Sequence, residues 1–145
     1  MQPVKVIKQI HVAASAEDAW SFIATRYFEN HSQWDPAIVG MANLTGGAVR
    51  LGTAGIETRR FLGRQHARFE VTEFVAPKRF AFRNVSGPFH LERSYTLEPE
   101  AGGTAITFSF EMQRKPAAKP LFLLARRQIE AQVVANIDRL AALLS

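Results

Sequence analysis

Ala117-Ala-Lys-Pro120-Leu-Phe-Leu-Leu-Ala125-Arg-Arg-Gln-Ile-Glu130-Ala-Gln-Val-Val-Ala135-Asn-Ile-Asp-Arg-Leu140-Ala-Ala-Leu-Leu144 is the one stretch of this chain long and periodic enough for a single extended helix. Pro120 suits a first helical turn, where its missing N–H is no loss, and Pro116 stops the preceding strand from running on. Phe122, Ala125, Ile129, Val133, Leu140 and Leu143 recur at three- and four-residue steps and form an apolar stripe, with Arg127, Glu130 and Asp138 opposite. At a rise of 1.5 Å per residue such a helix spans roughly 35 to 40 Å. Asn136 interrupts the stripe, and Gln132 stands at its margin. A buried amide without partners costs about 1 to 3 kcal/mol, so Asn136 must bond to backbone, water or a ligand.

Everything before this helix reads mostly as strand. Val4, Val6, Ile10 and Val12 alternate with Lys5, Gln9 and His11, which predicts a first strand with one buried face and Lys8 as its awkward member. Ser15, with Asp18 three residues on, makes a helix start that resembles a capping box, and Ala19, Trp20, Ile23 and Ala24 face inward. His31-Ser-Gln-Trp34-Asp35-Pro36 reads as a turn-prone connection, since Pro36 pushes Asp35 out of helical geometry. A second strand is expected over Ile38 to Leu44.

From Gly55 to Met112 the chain reads as five strands joined at Leu62-Gly63-Arg64, Ala76-Pro77-Lys78, Ser86-Gly87-Pro88 and Glu100-Ala-Gly-Gly103. Such short connections mean antiparallel neighbours. Ala67, Phe69 and Val71 share a face; so do Phe80 and Phe82, then Leu91, Arg93, Tyr95 and Leu97, then Ile106, Phe108, Phe110 and Met112. Strand, short helices, a six-stranded meander and one long helix have an economical arrangement in which the sheet curls around the helix. The expected fold is α+β, a helix-grip fold in which a curved antiparallel sheet of about seven strands wraps a long C-terminal helix, as a single domain over 1–145. Curvature holds the strands away from the helix ends, and the space left over is a cavity.

At 145 residues, 47% of them hydrophobic and 11 of them Phe, the chain has material for a core without staples, and no apolar run reaches membrane-spanning length. The N-terminus has no uninterrupted apolar run of a secretory signal, so the cytoplasm is the expected compartment. Zero cysteines exclude disulfides, thiolate metal sites and a Cys nucleophile. The net charge of +5 is spread along the chain and reads as a solvated surface; with no recognition helix or aromatic RNA-binding strand, nucleic acid is not an expected partner. Four glycines between Thr45 and Gly55 lack the spacing of a phosphate loop.

The chain resembles the START-like superfamily, also called SRPBCC or helix-grip, and within it the polyketide cyclase/dehydrase-like group. The resemblance rests on Ile10-His-Val-Ala-Ala-Ser-Ala-Glu-Asp-Ala-Trp20, Trp34-Asp-Pro36, Phe69-Glu-Val-Thr-Glu-Phe74 with Ala76-Pro-Lys-Arg-Phe80, and Tyr95-Thr-Leu-Glu-Pro99 with Gly103-Thr104. It implies a hydrophobic pocket between sheet and C-terminal helix, used in different members for lipids, sterols, polyketides, plant hormones or aromatic substrates. The chain has neither a two-His-one-carboxylate pattern nor Rieske cysteines, so no iron and no other cofactor is expected.

Pocket-lining candidates are Trp34, Phe69, Phe82, Arg93, Tyr95, Phe108, Gln132 and Asn136, with Thr58 and Arg60 weaker because the register of their strand is ambiguous. Arg93 either snorkels to solvent or meets a carboxylate, an anionic ligand group or water. Tyr95 packs its ring and has a hydroxyl to offer; Trp34 either caps the cavity or packs the loop. Of the four histidines only His31 borders the pocket, and Glu57 is the carboxylate with a route to the inner face. Three functions follow: binding of a small hydrophobic molecule by a monomer or homodimer, a polyketide cyclase/dehydrase-type enzyme using Arg93 or Tyr95 with His31 or Glu57, and an accessory or stress-related interaction module. No catalytic residue is assigned.

Overall fold

The structure, a computed structural model, describes residues 3–61, 63–87, 89–116 and 124–145, without the side chain of Arg114. The expectations for Pro120, Phe122, Leu62 and Pro88 fall outside those residues.

The elements follow in the order β1 (Val4–Val12), α1 (Ala16–Trp20), a π-helical turn (Ser21–Thr25), α2 (Tyr27–Trp34), β2 (Ile38–Asn43), β3 (Ala54–Arg60), β4 (Arg64–Val75), β5 (Arg79–Asn84), β6 (Phe89–Glu100), β7 (Gly103–Arg114) and α3 (Arg126–Leu143). One seven-stranded antiparallel sheet runs β1-β7-β6-β5-β4-β3-β2, so each strand from β2 to β7 pairs with its sequence neighbour and β1 closes onto β7. Register follows side-chain alternation. Ile10 faces Ile106 and Val6 faces Phe110, which puts both apolar sets on the inner face.

Ser15 caps α1, its hydroxyl accepting from the Asp18 amide at 3.1 Å. Trp20 packs edge-on against Phe74 and Phe80 as a core residue. The expected turn at His31 to Asp35 is instead the last part of α2, because Pro36 limits only Asp35, whose φ and ψ of −124° and 86° end the helix. On that helix Tyr27 and His31 stand one turn apart, with Asp35 a further turn on.

The apolar stripe of α3 differs from its sequence reading in two places. Ile137 and Leu140 are completely covered and Leu144 is buried, whereas Leu143 is 42% exposed. Burying Ile137 and Leu140 supplies about 1.5 to 3 kcal/mol each. Leu124 is helical, but Ala125 takes φ −91° and ψ 4°, so the helix that packs on the sheet starts at Arg126, while the expected helical run over residues 117–123 lies outside the described residues. Lys8, awkward in β1, reaches Asp138 of α3 at 3.3 Å.

Two glycines permit close approaches. A Cβ on Gly55 would lie 2.6 Å from the rings of Phe28 and Phe69, and one on Gly103 would meet the Val12 carbonyl oxygen. The second contact seats β7 against the end of β1, where the Thr104 hydroxyl donates to the Ala14 carbonyl at 2.8 Å and the Ala14 amide donates to the Leu144 carbonyl at 3.0 Å.

Candidate functional site

The inner face of the sheet carries a dense aromatic cluster. Tyr27 contacts the rings of Phe28, Phe69, Phe80 and Phe82, and Phe80 continues to Tyr95 and Phe82.

Within this apolar surround sits a buried polar cluster. On β3, Gly55, Glu57 and Arg59 alternate onto the inner face. Arg93 of β6 passes over the Phe82 ring, with Cζ 4.3 Å from its centroid, and grips the Glu57 carboxylate with Nη2 at 3.1 Å from Oε2 and Nη1 at 3.4 Å from Oε1. Arg59 donates to Glu57 Oε1 from Nη2 at 2.7 Å and to Asp35 Oδ2 from the same nitrogen at 2.8 Å. His31, stacked on Tyr27, lies 3.7 Å from Glu57 and 3.6 Å from Asp35, beyond hydrogen-bond length. Trp34 Nε1 donates to the Tyr95 hydroxyl at 3.2 Å.

Burial pushes His31 down to about 4, outweighing the nearby carboxylates, so its imidazole is neutral at pH 7. Burial alone would raise Glu57, but the Arg93 and Arg59 guanidiniums prevail and hold its carboxyl well below the usual range. Burial also pushes the Tyr27 and Tyr95 phenols up. Among the described residues, Tyr27 Oη, His31 Nδ1, Asp35 Oδ1 and Arg93 Nε are buried polar atoms with no hydrogen-bond partner.

His31, Asp35 and Arg93 line a hollow of about 50 Å³, walled by Arg59, Trp34, Tyr95, Phe108 and Phe110 and, from α3, by Ile129, Gln132, Val133, Asn136 and Ile137. A second hollow of about 80 Å³ shares Arg59, Phe110 and Ile129 with the first and is otherwise walled by Phe61, Phe89, Leu91 and Met112, with Glu57, Gln65, Ala67 and Asn84 also in its lining. A concavity of about 370 Å³ on the opposite face of the sheet lies over Ser94 and Ser109, among Arg83, Glu92, Glu111 and the Glu73–Arg79 ion pair. Among the described residues no group of His, Asp or Glu side chains is arranged to hold a metal ion, and no helix is long and apolar enough to cross a membrane.

Of the residues singled out from sequence, Trp34, Arg93, Tyr95, Phe108, Gln132 and Asn136 border the first hollow. Phe69 and Phe82 do not: they are packed into the aromatic cluster and front neither of the two inner hollows. Asn136 is only half-buried, and its amide oxygen accepts from Arg139, which also donates to the Trp34 carbonyl, so the Arg139 guanidinium spans α3 and α2 while the amide stays at the hollow's rim. Thr58 bonds His66 on the outer face, and Arg60 is exposed. His11 and His90 are exposed as well. Tyr27, Asp35 and Arg59 were missed; the four-residue steps from Tyr27 through His31 to Asp35 and the two-residue step from Glu57 to Arg59 were the available signals.

A family model described as "Polyketide cyclase / dehydrase and lipid transport" matches residues 3–145. The chain belongs to that family. Solved structures agree on the fold. An aromatase/cyclase, Zhui from Streptomyces sp. R1128, superposes with a TM-score of 0.77 at 15% identity, over 97% of this chain and 93% of that one. Major latex-like protein 151 from Panax ginseng gives 0.71 at 17% identity over 98% and 97%. The di-domain aromatase/cyclase StfQ of the steffimycin biosynthetic pathway gives 0.75 at 13% identity, over 98% of this chain and 51% of that one. At these identities the likeness shows the START-like, helix-grip fold alone. No curated relative matches.

Proposed function

We propose that this chain binds a small, largely apolar molecule between the sheet and α3, with the molecule's polar end against Arg93, His31, Asp35 and Tyr95. The observation that carries this reading is the set of unpartnered buried atoms, His31 Nδ1, Asp35 Oδ1 and Arg93 Nε, on residues that line one hollow. Each such atom costs about 1 to 3 kcal/mol, a cost that a ligand supplying partners would relieve. The adjoining hollow toward Phe61, Phe89 and Met112 supports an apolar body.

Hollows of about 50 and 80 Å³ are small beside the roughly 300 Å³ of a drug-sized site, so uptake has to part α3 from the sheet. Among the described elements, α3 packs mainly on β1 and α2. Titration with Nile red, a neutral apolar dye, tests the reading alongside native mass spectrometry of gently purified protein. Saturable dye fluorescence, or a copurified mass, is expected. No saturable binding together with a bare chain would show that the space is only core.

A cyclase/dehydrase-type activity is the second reading, favoured by the convergence of Arg93 Nε, the Tyr95 hydroxyl and neutral His31 on the same hollow. Arg93 and Tyr95 suit a developing enolate oxygen. A His pushed down to about 4, and a carboxylate held lower, are weak general bases at neutral pH, which ranks this reading second. If Arg93→Ala and His31→Ala leave turnover of a candidate polyketide unchanged, the enzyme reading is wrong.

A further inference from the structure

Among the described residues, the charged ones that line the two inner hollows are Asp35, Glu57, Arg59 and Arg93. Two carboxylates stand against two guanidiniums, and they are already paired: Arg93 with Glu57, and Arg59 with both Glu57 and Asp35. His31, also in the lining, adds no charge at neutral pH. The cluster is therefore neutral as a whole while several of its atoms lack hydrogen bonds.

We infer that the polar end of the ligand is uncharged, a hydroxyl, phenol or ketone oxygen and not a carboxylate, sulfate or phosphate. This rests on the binding reading above and narrows its chemistry.

Two arguments carry it. A carboxylate entering this lining would add one negative charge that no free cation among the described lining residues balances, and an uncompensated buried charge is far more costly than an unmade hydrogen bond. The unpartnered atoms are also mixed in kind. Arg93 Nε–H is a donor, Asp35 Oδ1 is an acceptor, and His31 Nδ1 takes either role according to tautomer. The Tyr95 oxygen accepts from Trp34 Nε1, which leaves its proton to give. A hydroxyl both donates and accepts and so fits this set; an anion only accepts and would face Asp35 and Glu57. Arg139, on α3 beside Asn136, is exposed and occupied by Trp34 O and Asn136.

The test is calorimetric titration at pH 7.5 with two matched pairs, 2-naphthol against 2-naphthoate and 1-decanol against decanoate. The neutral member of each pair should bind at least roughly tenfold more tightly. A carboxylate that binds as well as its neutral partner overturns the inference and leaves the binding reading standing. If none of the four binds, the binding reading falls and this inference with it. Glu57→Gln turns the lining to a net positive charge and should reverse the preference toward the carboxylates. Circular dichroism checks that the variant folds; should it not, Asp35→Asn makes the same change in charge. A folded variant of either kind that still prefers the neutral member shows that charge balance does not select the ligand.

Discussion

Arg93 on β6 and Glu57 on β3 form a two-point contact, at 3.1 and 3.4 Å, although β4 and β5 lie between their strands. The pair is held by the curl of the sheet and by the Phe82 ring beneath the guanidinium. Its two members are not equally protected. Glu57 keeps Arg59 if Arg93 is lost, whereas Arg93 has no second carboxylate in its hydrogen bonds. Glu57→Leu should therefore cost about 3 to 5 kcal/mol in urea denaturation and Arg93→Met clearly less, about 2 kcal/mol. Equal costs would mean that Arg59 does not stabilise the carboxylate.

Acid should weaken the fold in two stages. His31 is buried neutral, with its folded value near 4 against 6.5 when unfolded. Between those pH values the unfolded chain binds the extra proton, so stability falls as pH drops, by about 3 kcal/mol across the window. Glu57, held low in the fold, adds stability that is present above the unfolded carboxylate value and is lost as pH falls further. Thermal unfolding at pH 7.5, 6, 5 and 4.5 should show the first stage, and His31→Gln should flatten it while leaving the second.

Gly55→Ala should destabilise by about 1 to 3 kcal/mol, since the added methyl would press on the Phe28 and Phe69 rings at 2.6 Å. Adding Phe28→Leu should restore part of the loss, which chemical denaturation of the single and double variants would show.

The α3 stripe can be probed at two leucine-sized positions. Ile137→Ala should cost about 2 to 4 kcal/mol, and Leu143→Ala less than about 0.5 kcal/mol, because the first is covered and the second projects into solvent. Similar costs at both sites would place the helix in a different rotation.

Trp34 borders the hollow and Trp20 packs away from it against Phe74 and Phe80. A bound apolar ligand should shift the emission of Trp34. The shift should persist in Trp20→Phe and vanish in Trp34→Phe.

The alternation of Ile106, Phe108, Phe110 and Met112, and the short turns before it, made the meander readable from sequence, since period two and tight connections are local properties. The polar cluster was legible only in part. Arg93 stood out because it shared a face with Tyr95 and Leu97, but its partner lies 36 residues away on a strand whose register depends on Gly55 packing under Phe69. Nothing local reports that. Asn136 drew attention as a polar break in an apolar stripe whose Ala125, Ile129, Val133 and Leu140 are indeed buried, but Ile137, next along the chain, is the residue that fills the gap, and the amide stands at the rim.

The joint at Ala14 has a kinetic meaning. It ties the start of β7 to the chain's early segment across 90 residues, and its amide bonds the carbonyl of Leu144. The hairpins from β2 to β7 can form as soon as their strands exist, but the clasp between β1, β7 and α3 cannot be made before residue 144 has left the ribosome. Long-range closure of this kind is slow, in the range of milliseconds to seconds for sheet-rich domains, so Trp20 and Trp34 should report late, concerted burial in stopped-flow refolding. Until that moment the part of the sheet's apolar face that α3 covers is bare, and transiently exposed apolar surface of this kind invites aggregation.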